Sequence, residues 1–534
     1  MNKTVLPVER RIQEQRKIPR IREAIPVTLI PVYGGLGLGR IPGEVRDFHD
    51  EAACVRTTKQ LAVGRKVRVR WSVPRAVDHS YYGLPCEVTA RVVSVRPVES
   101  EGERAFAVVL QWDRSLARSL RGVIRAYRRK VGLLIALAMA ALLWAKVQTL
   151  AFFWYDPLFY VYSLSLVVFL VTRFLFAWIH RPPVMTGFTP SVSIVISVRN
   201  EEDNIGKGVQ TCFETDYPAS LREVIVIDDG STDRTPEVLR NLQARFSGLK
   251  VFTLPPSGKR RGMAEGVIRA SGEIVVFMDS DTFLAPDALR HIVCGFEDPS
   301  LGAVAGFTGV GNADKNALTG LQEIRYYVSF QLLKTSESLF GCVTCCPGCL
   351  SAYRREYLLE VLDPWLKQTF MGAHATFGDD RSLTNFILRK HRVIYNERAR
   401  AYTMVPERWG HYLRQQCRWK KSWLRETLLA SRFMFRKPPL AAISFYAASM
   451  FSLLSPAMSF RIAYLAVQTR DGLWLYYALG LIAVGLLQSL YFLYRRPSPH
   501  WLLGVYWMAT SLFVTGPQTY YALLTLRKNH WGTR

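Results

Sequence analysis

Two kinds of apolar pattern alternate along the chain. Long unbroken runs occur from Val131 to about Phe153 and from Pro157 to about Ile179. They return near the C-terminus at about Leu440 to Val467, Leu473 to Tyr494 and Trp501 to Leu526. Each approaches the roughly 20 residues that a bilayer crossing requires. Between the two groups the runs are short and β-branched: Ser191 to Val198, Glu223 to Ile227 and Glu273 to Met278, separated by helix-like stretches. Such alternation predicts a doubly wound, mostly parallel sheet, whose ligands bind at the carboxyl ends of the strands.

Charge orients these runs. Arg118, Arg121, Arg125, Arg128, Arg129 and Lys130 lead into the first, and His180 and Arg181 follow the second, while the turn between them offers only Phe153-Trp154-Tyr155-Asp156. By the positive-inside rule both flanks are cytoplasmic. Five spans would leave Arg527-Lys528 on the far side, against the same rule. Either Gly516-Pro517 breaks the last segment so that it re-enters, or the span count is off by one. Lys146 and Arg173 fall inside spans, where snorkelling is the plain expectation. The division is therefore 1–125 as an N-terminal unit, 131–179 as a membrane hairpin, 184–404 as a catalytic unit, 405–436 as an interfacial stretch, and 438–534 as a C-terminal membrane region with its tail.

The 534 residues are 49% apolar and 21% charged, with a net charge of +26. That much apolar surface excludes a disordered chain. The positive charge alone suits anionic lipid, a nucleotide diphosphate or an acidic polymer, and no nucleic-acid partner is expected. Nine cysteines and an N-terminus rich in arginine without an apolar core predict a reduced cytosolic face with no disulfides and no signal peptide.

All three short strands end in acid: Asn200-Glu201, then Asp228-Asp229-Gly230-Ser231, then Asp279-Ser280-Asp281. Carboxylates crowded at strand ends repel one another unless a divalent cation or a hydrogen-bonding ligand sits between them. With Lys259, Arg260 and Arg261 between the strands, the crevice suits a diphosphate bridged to Mg²⁺ or Mn²⁺. Cys342, Cys345, Cys346 and Cys349 crowd into eight residues without a matching histidine, which disfavours a zinc site.

Those acids, followed by Gly378-Asp379-Asp380 and Gln415-Gln416-Cys417-Arg418-Trp419, resemble the processive, inverting glycosyltransferases of the second sequence family: the cellulose, chitin and hyaluronan synthases. Cys345-Cys346-Pro347-Gly348 before Ser351-Ala352-Tyr353-Arg354, Lys420-Lys421-Ser422-Trp423 and the final Trp531-Gly532-Thr533-Arg534 are most similar to the hyaluronan and chitooligosaccharide synthases. The resemblance implies a GT-A type, Rossmann-like catalytic domain inserted between transmembrane helices. It implies UDP contacts from Asp228, Asp229, Lys259, Arg260, Asp279, Gln415, Arg418, Trp531, Thr533 and Arg534. Asp281, assisted by Asp279, would hold the metal. Asp380 would be the general base, with Asp379 as the alternative. Trp419, Cys349 and Ser351 would line the acceptor site. Arg414, Lys420, Lys421 and Arg425 read instead as anchors of an amphipathic interfacial helix from about Trp409 to Phe435. The implied partners are UDP-sugars (UDP-GlcNAc, with UDP-glucuronate for a hyaluronan-type product), the growing polysaccharide and membrane lipid. The implied location is a bacterial inner membrane.

In the N-terminal unit, strand-like segments at about Ile25 to Pro31, Lys66 to Val73, Cys86 to Val95 and Ala105 to Trp112 predict a small β-barrel. Arg16-Lys17-Ile18-Pro19-Arg20 resembles the RxxxR motif of PilZ domains, which implies a cyclic di-GMP contact through Arg16 and Arg20 with Asp47 as the retained acid of the second motif. The literal second motif, Asp78-His79-Ser80-Tyr81-Tyr82-Gly83, comes later than expected.

Overall fold

The computed structural model describes residues 24–31, 41–73, 81, 83–100, 103–148, 150, 157–468 and 473–527. Arg16, Arg20, Trp531, Thr533 and Arg534 lie outside these, as does most of the 78–83 motif. The chain divides into two compact units, residues 1–141 with 489–501, and residues 142–488 with 502–534.

In the first unit, β1 (Ile25–Pro31), β2 (Ile41–Phe48), β3 (Ala52–Thr57), β4 (Lys66–Ser72), β5 (Pro85–Ser100) and β6 (Glu103–Trp112) close into an antiparallel barrel of order β1-β2-β3-β6-β5-β4. Alternation builds it: Val67, Val69 and Trp71 of β4 point inward while Lys66, Arg68 and Arg70 face solvent. Closure leaves no free strand edge. The sequence pattern missed β2 and β3, whose Gly43, Asp47 and Arg56 dilute the β signal. Asp47 lies on β2, yet the acid that builds structure is Asp50. Its carboxylate accepts Ala117 N at 2.8 Å and Ser115 Oγ at 2.7 Å, capping the Leu116–Gln148 helix.

The second unit holds an eight-stranded sheet of β7 (Val192–Val198), β8 (Arg222–Asp228), β9 (Leu249–Thr253), β10 (Ile274–Phe277), β11 (Thr282–Leu284), β12 (Leu301–Val310), β13 (Ser351–Arg354) and β16 (Arg392–Thr403). Between β13 and β16 the chain forms a small hairpin, β14 (Thr369–Phe370) and β15 (Ala373–His374). The sheet order is β11-β16-β12-β13-β10-β7-β8-β9. Strands β10, β7 and β8 are mutually parallel, as their apolar runs predict, and β9, which the runs did not mark, joins parallel to β8. Beyond them β13 inserts antiparallel to both β10 and β12. Ile194, Val195, Ile225, Val226, Val275 and Val276 are all buried, because helices cover both faces of the sheet.

Among the described residues three helices are long and apolar enough to cross a membrane: Leu116–Gln148, Pro157–Ile179 and Pro439–Leu465. The first begins well before the expected Val131. The Leu473–Arg495 helix carries a shorter apolar stretch, Leu479–Arg495. The last segment is not one regular α-helix. It runs as Leu503–Thr510 and Ser511–Thr515, breaks at Gly516-Pro517, and resumes as Gln518–Leu524. The interruption falls at the Gly516-Pro517 pair that the sequence offered as a break, because the proline cannot extend the ladder. Arg173 does not snorkel: it is 4% exposed, bonds Ser444 Oγ and stacks on Phe169 and Phe176 at 4.6 and 5.0 Å. Lys146 donates to Ser163 Oγ at 2.9 Å.

Candidate active site

The ends of β7 and β8 are stitched together. Asn200 takes φ 53°, a conformation asparagine tolerates, and its Oδ1 accepts Thr232 N at 2.8 Å. Asp228 accepts Ser231 N at 3.0 Å. Asp229 accepts Ser257 N at 2.6 Å and Gly258 N at 2.9 Å. Gly230 sits at φ 69° with Pro256 Cδ 2.8 Å from where a Cβ would stand, so a side chain is excluded there. Both aspartates therefore build the crevice wall. Asp229 in particular clamps the loop that delivers Lys259 at the head of the Lys259–Arg269 helix.

Lys259 reaches the carboxylate of Asp279 at the end of β10. Burial opposes the lysine's charge, yet Asp279, Asp379 and Asp380 together hold its pKa above the ordinary value. Burial likewise opposes the Asp279 charge, and Lys259, with Arg418 further off, overrides it and lowers that pKa. Asp281 behaves oppositely. Burial first, then the Asp279 and Glu201 charges, push it up to about 7, with Thr403 Oγ1 donating to it at 3.2 Å. A carboxylate so crowded by like charge is a donor that a hard divalent cation relieves. Among the described residues no group of three or more His, Cys, Asp or Glu side chains gathers to ligate an ion. The pair fits the Mg²⁺ or Mn²⁺ pattern of one or two carboxylates completed by substrate phosphates.

Gly378 turns the chain at φ 77° into the Asp379–Leu388 helix. A Cβ there would overlap Ser422 Oγ and stand 2.6 Å from Ser422 Cβ, so glycine lets the Trp409–Met434 helix pack onto this turn. The two acids that follow diverge. Asp379 is 5% exposed and its Oδ1 takes Arg260 Nε at 2.7 Å. Arg260 lies under Trp365 at 5.0 Å and donates to the Trp365 carbonyl at 3.1 Å. Arg260, expected at the phosphates, is buried here, and the carboxylate beside it holds it. Asp380 is half-buried. Arg381 N donates to its Oδ1 at 2.7 Å, and the Cys345 thiol faces its Oδ2 at 3.7 Å.

The 342–349 loop bridges the two acidic centres. Cys345 meets Asp380, and Cys349 Sγ donates to Asp279 Oδ2 at 3.4 Å. A Cβ on Gly348 would stand 3.0 Å from both Asp279 oxygens, so the small residue permits that approach. Burial, then the neighbouring carboxylates, raise both thiols, which disfavours the thiolates that a soft metal needs. Ser351, expected at the acceptor site, is instead 2% exposed in β13 between Phe277 and Ala305. Gln415, Arg418 and Trp419 lie on the Trp409–Met434 helix, and Trp419 keeps 36% of its surface exposed. Arg425, read as an interfacial anchor, is buried: it binds the Phe377 carbonyl and donates to Glu426 Oε1 at 2.7 Å. Lys420 donates to Thr519 Oγ1 at 2.8 Å.

Sequence reasoning missed two neighbours of Trp419. Arg325 lies over its ring at 5.2 Å, and the Tyr326 ring is 6.3 Å away. Burial and then the charges around Cys349, Asp281 and Asp279 raise the Tyr326 phenol, which places it beside the acids. Both sit on the amphipathic Ala317–Val328 helix, with nothing in their spacing to separate them from ordinary surface. Lys334 and Glu337 were also missed. They hold the cysteine loop through the Cys345 carbonyl and through Thr344 N at 3.0 Å.

A GT-A fold whose strand-end acids, lysine and DD helix meet in one crevice defines a nucleotide-sugar glycosyltransferase class. The family model described as glycosyl transferase family 2 matches residues 193–362. A hyaluronan synthase of Streptococcus pyogenes serotype M3 is 30% identical over 388 residues, 70% of this chain and 90% of that protein. An N-acetylglucosaminyltransferase of Rhizobium sp. (strain N33) is 36% identical over 249 residues, 46% of this chain and 55% of that one. Among solved structures, a mannosyltransferase from Pyrobaculum calidifontis in complex with GDP-Man and Mn²⁺ superposes with a TM-score of 0.48 at 22% identity, covering 71% of this chain and all of the other. The chain belongs to glycosyltransferase family 2.

Proposed function

We propose that the protein is a membrane-embedded, processive synthase that joins UDP-sugars into a β-linked polysaccharide by inversion and extrudes it, with a hyaluronan-type product favoured. The carrying observation is the unequal fate of the adjacent acids. Asp379 is spent on Arg260, whereas Asp380 keeps Oδ2 facing the cysteine loop. In this reading the acceptor hydroxyl oxygen attacks the anomeric carbon, and its proton passes to Asp380 Oδ2. The bond from that carbon to the β-phosphate oxygen breaks, and UDP departs with the electron pair. Lys259 and Arg418 face the charge that grows on the diphosphate. A divalent cation, held by Asp281 with Asp279, supplies further charge stabilisation when bound. The exposed indole of Trp419 offers a stacking face for the terminal sugar, and Arg325 fixes its tilt. A hydrophilic polymer leaving this site needs a protein-lined path, since sugar hydroxyls are costly in hydrocarbon.

The test is detergent-purified full chain given Mg²⁺ or Mn²⁺ and each UDP-sugar alone and in pairs, with product length measured. Polymer that needs both UDP-GlcNAc and UDP-glucuronate supports the hyaluronan-type reading, and growth on UDP-GlcNAc alone points to a chitin-like product. Single-sugar lipid adducts would refute processivity. Asp380→Asn should abolish UDP release while UDP still binds. The barrel as a cyclic di-GMP receptor belongs to the same proposal. Calorimetry should show binding that Arg16→Ala with Arg20→Ala removes, and no heat in the unmodified protein would refute it.

A further inference from the structure

Behind the crevice lie two buried ion pairs, Arg260–Asp379 and Arg425–Glu426. Gln368, which follows the Arg355–Leu366 helix, joins them. Its Oε1 accepts Arg260 Nη1 at 3.1 Å and Ser382 Oγ at 2.5 Å. Its Nε2 donates to Glu426 Oε1 and Oε2 at 3.0 and 3.3 Å. Asn385 closes the set, with Nδ2 donating to the Glu426 carbonyl at 3.0 Å and to its Oε2 at 3.2 Å. One amide thus connects three helices: the one that carries Lys259, the one that carries Asp380, and the one that carries Arg418 and Trp419.

All of these groups are buried and bonded to one another, so their part is to position the residues that line the crevice. Stability does not account for them, because a buried ion pair is commonly replaceable by apolar residues at little cost. What such a network does supply is register. Each donor and acceptor has one geometry that satisfies it, and sliding one helix past another strands a buried charge. The sequence carries a trace of this: Glu426 is the only acid in the Trp409–Met434 helix.

We infer that Gln368 and Glu426 are positioning residues that lock the base-bearing helix against the helix of Arg418 and Trp419, so that the acceptor hydroxyl meets Asp380 while the donor is held by Lys259. This rests on the reading of Asp380 as the base. A displacement of roughly 1 Å at a reacting pair costs on the order of 100-fold in rate. A loosened lock therefore lets water compete with the acceptor for the donor, while donor binding, set by Lys259 and the strand ends, persists.

The experiment measures donor turnover, polymer formed and free monosaccharide in Gln368→Met, which removes the amide's four hydrogen bonds without adding charge. The expected result is a kcat lower by about 10- to 100-fold, an unchanged donor KM, and a hydrolysis-to-transfer ratio raised at least roughly tenfold. Arg425→Met with Glu426→Leu, which removes a whole ion pair, should fold and give the same shift. An unchanged ratio in folded protein, or loss of folding in both variants, overturns the proposal. Asp380→Asn run alongside separates the two readings. If it retains turnover, the base assignment fails. If it is inactive while Gln368→Met behaves as the unmodified chain, only the lock fails.

Discussion

Replacing Gly378 by alanine tests how the DD turn is held. The residue sits at φ 77°, where an L side chain costs about 1–2 kcal/mol. The added Cβ would also overlap Ser422 Oγ, with Ser422 Cβ at 2.6 Å and Arg425 Nη2 at 3.3 Å. Relieving that contact moves the turn or the helix, and overpacking of this kind costs about 1–3 kcal/mol. Together these predict about 2–5 kcal/mol of destabilisation. Because Asp379 and Asp380 follow directly, a backbone shift of several tenths of an ångström should also lower turnover by roughly 10- to 100-fold. Thermal unfolding and UDP release on the detergent-purified chain read the two effects. Adding Ser422→Gly should recover the steric part and leave the conformational 1–2 kcal/mol or so. Gly378→Ala with unaltered melting and turnover would refute the account, as would a double variant no better than the single.

Glu223 offers a pH test away from the site. Burial opposes its charge, yet Lys250, Ser193 and Ser271 draw its pKa down to about 2 from an ordinary 4.5. A depressed carboxylate stabilises the fold above its unfolded pKa and ceases to as pH falls through the folded one. Glu223→Gln should therefore cost about 2–3 kcal/mol near neutrality and nearly nothing at about pH 2, by denaturant titration at each pH. Asp281, at about 7 without a cation, makes protons compete with a divalent ion, so Mn²⁺ affinity measured by calorimetry should weaken as pH drops below that value and level off above it. Asp281→Asn should remove that dependence. Trp419→Ala should raise the concentration of oligosaccharide acceptor needed for half-maximal transfer while leaving UDP affinity within about twofold, since stacking on one sugar is worth on the order of 1 kcal/mol.

How much of this could be read without coordinates depends on the range of the interaction. Periodicity is local, and it located the Pro157–Ile179, Pro439–Gln468 and Leu473–Arg495 helices, the parallel strands β7, β8 and β10, and the Trp409–Met434 helix within a residue or two, while the first apolar helix begins 15 residues before the expected Val131. The acids at strand ends were legible for the same reason, because topology sends every parallel strand end to one edge. The strands β2 and β3, the antiparallel insertion of β13 and the burial of Ser351 were not legible, since each depends on pairing across many residues.

Side-chain partners lie furthest from the linear order. Arg260 reads as a phosphate contact and Arg425 as a membrane anchor by their neighbours in sequence. Folding turns the first to Asp379 and the second to Glu426 and Phe377. The amino-acid order determined which charges exist and which strand ends they occupy. Only the packed structure decided which of them neutralise one another and which stay open to a substrate, because a buried charge is bound by whichever opposite group the packing brings within a few ångströms.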